Sequence, residues 1–435
     1  MIQNKKSIWV PYMLFLSIIA IIVQYFISGL RWQILPATYL LVMVFICYKY
    51  QLTNRFIGFM LSIWLTISIT LPWAVPIFNL PSPEGKFMVG TDTFHWVDSS
   101  RLEWFTKDSG DLRELMVQVW YPTDSVENFA KCYYMDHLEL RSKTLATAGK
   151  IPAFLTGHLD MIKTNSYKKA RLPKNSNVYP VFIFSHGISG SRHLHQSLFE
   201  YLASQGYVVF APDHSFDANL TIFPDGRVAD YRSEITGDPD SIAIRKKQLE
   251  TRSLDISHVI DRIEMLNQES KSFLGGRLDL KKIGVGGHSF GGGTATLASY
   301  RDKRIKACIV LDSWMSPLSD SVISGGVKVP FFHMGRPTWN DSGYPKNYDV
   351  LERLLSHSQK ESNHVRIKNT LHLDYSDIPL MSPLIGKFMD VGNLRAKDIV
   401  TLVNKMTYGF LEKHIMGSNG RILDQSLDSK LVILK

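Results

Sequence analysis

The chain has 435 residues, 45% of them hydrophobic, which leaves room for one large domain plus an additional region and excludes a disordered protein. Its formal net charge of +9 would suit a nucleic-acid partner, but five basic residues (Lys5, Lys6, Arg31, Lys49, Arg55) fall in the first 80 positions, where no acidic residue occurs. The remainder is only mildly basic, so no nucleic-acid partner is expected.

Residues 1–80 read as a membrane region with three transmembrane helices. Positions 9–28 are apolar apart from Gln24 and small hydroxyls, and at 1.5 Å per residue they match a hydrocarbon core about 30 Å thick. A second, somewhat short run covers 34–48, and a third covers 56–78 with Pro72 and Pro76 near its far end. A cleaved signal peptide is the rival reading of the first run. Two more apolar segments follow it, however, and no small-residue cleavage site stands after Ser28. Lys5 and Lys6 precede the first span, Lys49 and Arg55 separate the second from the third, and only Arg31 lies in the first connector. Cytoplasmic loops collect such charges, so the N-terminus is expected in the cytoplasm and everything after residue 80 on the extracytoplasmic side. Were the second run not a span, the domain would face the cytoplasm instead.

After Leu80-Pro81-Ser82-Pro83 the pattern changes to short β-rich runs alternating with helical ones, the signature of a mainly parallel sheet with helices on both faces. Strands are predicted over 86–97, 115–121, 181–184, 207–211, 282–286, 307–311, 329–333 and 364–367. Helices are predicted over 193–204, 241–267, from 290 onward, and over 397–414. The stretch 124–180, rich in Lys, Ser and Asn, reads as an insertion of surface loops contributing to a lid. Among the three cysteines, Cys47 sits in an apolar run, and Cys132 and Cys308 read as free thiols. No Cys/His cluster argues for zinc, and neither metal nor cofactor is expected.

The chemistry is carried by Gly287-His288-Ser289-Phe290-Gly291, between an apolar strand and a helix rich in small residues. A serine on so tight a strand-to-helix turn takes a strained backbone that leaves no room for a Cβ on its neighbours. The new helix also aims its N–H groups at the place where an oxyanion would form. A Gly-rich turn that binds phosphate or merely packs closely is the plainer reading. The elbow is preferred because an acid and a histidine follow in the order Ser, acid, His.

A serine hydroxyl needs a base within hydrogen-bond reach and a carboxylate to orient it. His333 falls inside a predicted strand and reads as a core residue, and His357, His364 and His414 fall on polar helical stretches or strand edges. His372 follows the last strand in a loop, where an α/β hydrolase delivers its base. For the acid, Asp341 lies beyond strand 329–333 and Asp312 ends the preceding strand; position leaves the two tied.

Several segments resemble the platelet-activating factor acetylhydrolases of the secreted, lipoprotein-associated type and their bacterial relatives. They are Leu115-Met-Val-Gln-Val-Trp-Tyr-Pro122, Val181-Phe-Ile-Phe-Ser-His-Gly187, Ala211-Pro-Asp-His214, Gly287-His-Ser-Phe-Gly-Gly292, Leu311-Asp-Ser-Trp-Met-Ser-Pro-Leu318, and Thr370-Leu-His372 with Asp377-Ile-Pro-Leu380. They run in order from Leu115 to Leu380, over most of the α/β-hydrolase domain read at 81–435, and the resemblance implies Ser289 as nucleophile, Asp312 as acid and His372 as base. It also implies an oxyanion hole from the N–H groups of Phe290 and Ile188; Gly187 would let the Ile188 loop approach the elbow. His186 is expected to make a structural hydrogen bond.

The activity so implied is hydrolysis, through an acyl-enzyme, of phospholipids carrying a short or oxidised acyl group. A general carboxylesterase and a membrane-anchored acyltransferase are the alternatives. Trp314 and Met315, just beyond the acid, are expected to line the acyl pocket. The expected partners are a lipid or small ester and the membrane. The three spans and the 124–180 stretch depart from the secreted family members.

Overall fold

A computed structural model of the chain describes residues 8–175, 177–232 and 241–434. Three apolar helices come first: α1 (Trp9–Ser28), α2 (Leu35–Tyr50, preceded by a 3-10 turn Trp32–Ile34) and α3 (Arg55–Ala74). With those turns included, spans of 19, 19 and 20 residues are long and apolar enough to cross a membrane. The second is longer than its apolar run because Trp32 and Gln33 join it at one end and Lys49 and Tyr50 at the other. The third is shorter than its run: Pro72 sits in its last turn, and Val75 precedes Pro76, a setting that disfavours helix. Phe78 therefore belongs to the following domain, where it is buried. Lys5 and Lys6 lie outside the described residues.

The rest of the chain builds strands β1 (Met88–Leu102), β2 (Leu112–Thr123) and β3 (Lys131–Tyr133), helix α4 (Leu138–Gly149), then β4 (Lys163–Lys168), β5 (Tyr179–Ser185), α5 (Gln196–Ser204) and β6 (Val208–His214). A small hairpin, β7 (Leu220–Ile222) and β8 (Val228–Asp230), precedes α6 (Ser241–Gln268). There follow β9 (Leu278–His288), α7 (Phe290–Arg301), β10 (Ile305–Leu311), α8 (Asp320–Gly325), β11 (Phe331–Gly335), α9 (Asn347–Ser356) and β12 (Ser362–Ile367). The C-terminal part is α10 (Ala396–Leu411), α11 (Arg421–Leu427) and β13 (Val432–Leu434).

Eleven strands make one mixed sheet in the order β13-β12-β11-β10-β9-β5-β6-β2-β1-β4-β3. The run from β6 through β5, β9, β10 and β11 to β12 is parallel, while β2 meets β1 and β6 antiparallel. A strand covered on both faces reads as a continuous apolar run, and β5 is buried at every residue. Its period of two then divides the core: Val181 and Ile183 face the side covered by α6 and α7, and Phe182 and Phe184 face α5 and α10.

The 124–180 stretch is more than surface loops. It supplies β3, α4 and β4, and β4 pairs parallel with β1. Its Tyr134, Met135, Leu138, Leu159 and Ile162 form a third core with Phe78 and Leu80 from the exit of α3. Cys47, Cys132 and Cys308 are free thiols.

Candidate active site

The site begins where β9 ends. Ser289 stands between His288, the last residue of β9, and Phe290, the first of α7, with φ +57° and ψ −123°. This left-handed backbone is costly for a residue with a side chain and is held by its surroundings. A Cβ on Gly291 would lie 2.0 Å from the Ser185 carbonyl oxygen, and one on Gly287 would lie 2.2 Å from that of Gly291. Both glycines are therefore required by backbone approaching backbone. The Ser289 N–H donates to the Leu311 carbonyl at 3.0 Å, tying the elbow to the end of β10.

The turn after β12 brings His372 to this elbow. His372 Nε2 is 2.9 Å from Ser289 Oγ and Nδ1 is 2.6 Å from Asp312 Oδ2. Asp312 is fully buried at the tip of β10 with φ +36°, a second left-handed residue in the site. Its other oxygen accepts from the Arg336 N–H at 3.0 Å and from Trp339 Nε1 at 3.1 Å. Burial alone would raise its pKa, but the hydrogen bond to His372 and the Arg336 charge and N–H outweigh it and hold the carboxyl down at about 2. Asp312 is thus ionised beside the His372 imidazole at neutral pH. Asp341, tied with Asp312 by position alone, is exposed on the rim of the cavity. The loop that carries it delivers Arg336 and Trp339 to Asp312 instead.

His372 is held by its backbone as well. His288 Nε2 donates to the His372 carbonyl at 2.9 Å, with the two rings 4.7 Å apart. Burial, then the neighbouring His372 and His195, push the His288 pKa well below the usual imidazole value, so it is a neutral donor. Asp390 accepts from the His372 N–H at 3.3 Å and from Arg336 at 3.2 Å. Neither contact was legible in advance, although His288 stands inside the elbow motif itself. His186 accepts from the His214 N–H at 3.1 Å through Nε2, the structural hydrogen bond expected of it.

The loop after β5 closes the other side. A Cβ on Gly187 would lie 3.2 Å from Ser289 Cβ, so the Gly187–Ile188 backbone lies against the elbow. Phe290 begins α7, so its N–H has no carbonyl one turn earlier to satisfy it. The cavity above Ser289 measures about 910 Å³. Part of its lining is aromatic: Trp314 packs on Tyr344 with centroids 4.3 Å apart and the rings tilted by 42°, and Trp339 lines the cavity with them. The lining also includes Lys143, Thr144, Thr147 and Lys150, on α4 and just beyond it. Trp314 thus lines the cavity, but Met315 does not. It is fully buried, its N–H donates to Asn347 Oδ1 at 2.7 Å, and its sulfur lies against Ser313 and Thr296. Adjacent residues leaving a strand tip point to opposite sides, and only the first of this pair faces the cavity. Of the other histidines, His333 and His364 are buried together beside Tyr348, whereas His357 is exposed.

Comparison with known proteins gives this arrangement a context. The family model described as platelet-activating factor acetylhydrolase, isoform II, matches residues 75–428. The dog platelet-activating factor acetylhydrolase is 28% identical over 299 residues, covering 63% of this chain and 65% of the dog protein, just under two thirds of its length. The chicken protein of the same name is 23% identical, covering 78% of this chain and 84% of its own. A probable 1-alkyl-2-acetylglycerophosphocholine esterase of Arthroderma benhamiae is 24% identical over 80% of this chain and 90% of its own. Among solved structures, a ferulic acid esterase from Streptomyces cinnamoneus superposes with a TM-score of 0.67 at 25% identity, covering 82% of this chain and 99% of the esterase. The fold is that of an α/β hydrolase, and the chain belongs to the platelet-activating factor acetylhydrolase, isoform II, family of carboxylic ester hydrolases.

Proposed function

We propose that the chain is a membrane-anchored serine esterase that hydrolyses phospholipids with a short or oxidised acyl group. The observation that carries this reading is the unbroken series Ser289 Oγ, His372, Asp312, linked at 2.9 and 2.6 Å. In the proposed reaction His372 Nε2 takes the Ser289 proton as Oγ attacks the ester carbonyl carbon. The buried Asp312 carboxylate stabilises the imidazolium so formed. The N–H groups of Phe290 and Ile188 receive the carbonyl oxygen as it becomes an oxyanion; losing one such donor costs on the order of 100-fold in rate. His372 then gives its proton to the departing alcohol, and water cleaves the acyl-enzyme by the same steps in reverse. The acyl group would lie along Trp314, Trp339 and Tyr344. The names of the relatives support a phospholipid substrate, and three apolar helices support delivery at a membrane.

A broader carboxylesterase is favoured by one finding, the likeness to a ferulic acid esterase, together with the aromatic part of the cavity lining. The test is Ser289→Ala against wild type on a short-chain phospholipid and a ferulate ester, following acid release. Loss of turnover by on the order of 10⁴-fold or more is expected, with the phospholipid the better wild-type substrate. Undiminished turnover in the variant would refute the nucleophile, and preference for ferulate would refute the lipid.

We also propose that the domain faces the extracytoplasmic side. The support is that Trp32 and Gln33, in the turn after α1, touch the domain and its entry segment (Trp32 on Phe154, Gln33 on the Val75 carbonyl). The α1–α2 connector and the domain then share one side, and Lys49 and Arg55 lie on the other, as positive charge inside the cell requires.

A further inference from the structure

The anchor is docked onto the domain rather than loosely tethered to it. Thirteen residues, 75–87, join α3 to β1. Extended, they could reach about 45 Å and let the domain swing freely. Instead Phe78 and Leu80 are buried with Leu138 and Leu159, and Gly85 and Phe87 donate their N–H groups to Ser204 at 3.1 Å. The anchor's own end is engaged too. Gln33, fully buried, donates to the Val75 carbonyl at 3.2 Å, and Ser382 Oγ, in the loop beyond His372, donates to the Ala74 carbonyl at 2.6 Å.

One segment receives this docking at both ends: residues 138–154, which comprise α4 and the start of the 3-10 turn after it and line part of the cavity. Its first residue, Leu138, packs in the cluster with Phe78 and Leu80. Just past the last residue of α4, Lys150 lines the cavity, and four residues further Phe154 meets Trp32 edge to face with centroids 5.1 Å apart. Trp32 opens the second span and Trp73 nearly closes the third. Tryptophan at span ends marks the headgroup level of a bilayer. Four residues span at most about 14 Å, and the headgroup layer is about 5–7 Å thick on each side. The cavity rim at Lys150 therefore stands close above the bilayer in which the anchor sits, at a height and orientation that the docking fixes.

We propose that the enzyme acts in cis, taking its ester lipid from the leaflet of its own membrane over the Lys150–Phe154 segment, and not from other membranes or particles. This rests on the esterase reading. A domain on a loose tether would meet lipid of either source, whereas a docked one keeps its cavity beside its own leaflet.

The test uses the full chain in lipid nanodiscs. The substrate, a phosphatidylcholine with an sn-2 acetyl group, is placed in the same disc or only in separately added vesicles, with p-nitrophenyl acetate as soluble control. Same-disc hydrolysis is expected to exceed hydrolysis of added vesicles by about tenfold or more. Phe154 is 60% exposed, so Phe154→Ala should leave the fold intact. Removing this aromatic contact is expected to lower the same-disc rate about tenfold while the soluble ester is hydrolysed as before. Equal rates on same-disc and added lipid overturn the proposal. So does a Phe154→Ala variant that loses neither activity or both alike, and so does wild type that cleaves the soluble ester but leaves same-disc lipid intact. Soluble-ester turnover no greater than that of Ser289→Ala would sink the esterase reading itself, and the cis proposal with it.

Discussion

His288 shows how one residue of the elbow serves two parts of the site. Its backbone helps to set the strained turn at Ser289, and its ring donates at 2.9 Å to the carbonyl of His372, 84 positions further along the chain. His372 is thereby registered against the strand that ends at Ser289. Replacing His288 by Leu strips a donor from the partly buried His372 carbonyl, at a cost on the order of 1 kcal/mol. Part of that would be released by a shift of His372 away from Ser289, so kcat on a soluble short-chain ester is expected to fall about tenfold or more with KM little changed. His288→Gln, whose amide N–H can replace Nε2–H, should recover most of the loss. A Gln variant as slow as the Leu variant, or a Leu variant with unaltered kcat, would show that the hydrogen bond does not position the base.

At the scale of elements, the loop after β12 is fastened to α5 by a carboxyl group. Asp377 accepts from the Ser197 N–H and hydroxyl at the start of α5, lies 3.3 Å from the Tyr134 hydroxyl, and donates its own N–H to the Leu194 carbonyl at 2.8 Å. Burial pushes its pKa up to about 7, against the lowering effect of the Ser197 hydrogen bonds and with the help of the buried Glu200 charge. The folded value lies above the ordinary 3.8, so the folded chain holds this proton more tightly than the unfolded one. Its contribution to stability is complete below the ordinary value and is lost as pH rises through about 7. Asp377→Asn cannot titrate. Thermal melts of the two chains in parallel should converge in acid and diverge in favour of the variant as pH approaches 8; a difference that stays constant across that range would refute the assignment. The same elements explain what the sequence made legible. All eight predicted strands are present, as are the four helices, because each buries a run of apolar side chains with a clear period. By contrast, β4 buries Thr164 and Ser166, which meet Glu200 and the Cys132 carbonyl. A strand whose buried face is polar has no hydrophobic period to find. In the site, the elbow and His372 could be read from spacing. That Asp312 and not Asp341 meets His372 could not, because it depends on how the loop after β11 folds back, and that loop is held to Asp312 by Arg336 and Trp339.

For the whole molecule, the arrangement of the anchor and the docking of the domain constrain each other. The connector between α1 and α2 contacts the domain through Trp32 and Gly29, where a Cβ would lie 2.8 Å from Met161 Cε. α2 and α3 then form a hairpin, with Tyr39 and Trp64 6.2 Å apart between them, and in the proposed topology its tip at Gln51–Asn54 lies on the far side of the bilayer from the domain. Lys49 and Arg55 flank that tip. Reversing the hairpin would place both charges on the extracytoplasmic face, against the bias that keeps Lys and Arg on the cytoplasmic side. The expected topology can be read with an impermeant maleimide in a chain whose native cysteines are replaced. Gln51→Cys, at the hairpin tip, should react only when the cytoplasmic face is opened, and Lys271→Cys, exposed on the domain far from the cavity, should react in intact cells. Both positions reacting from the same face would mean that the third helix does not cross, and Gln51→Cys reacting in intact cells with Lys271→Cys reacting only in opened ones would mean that the second does not; either result overturns the proposed topology.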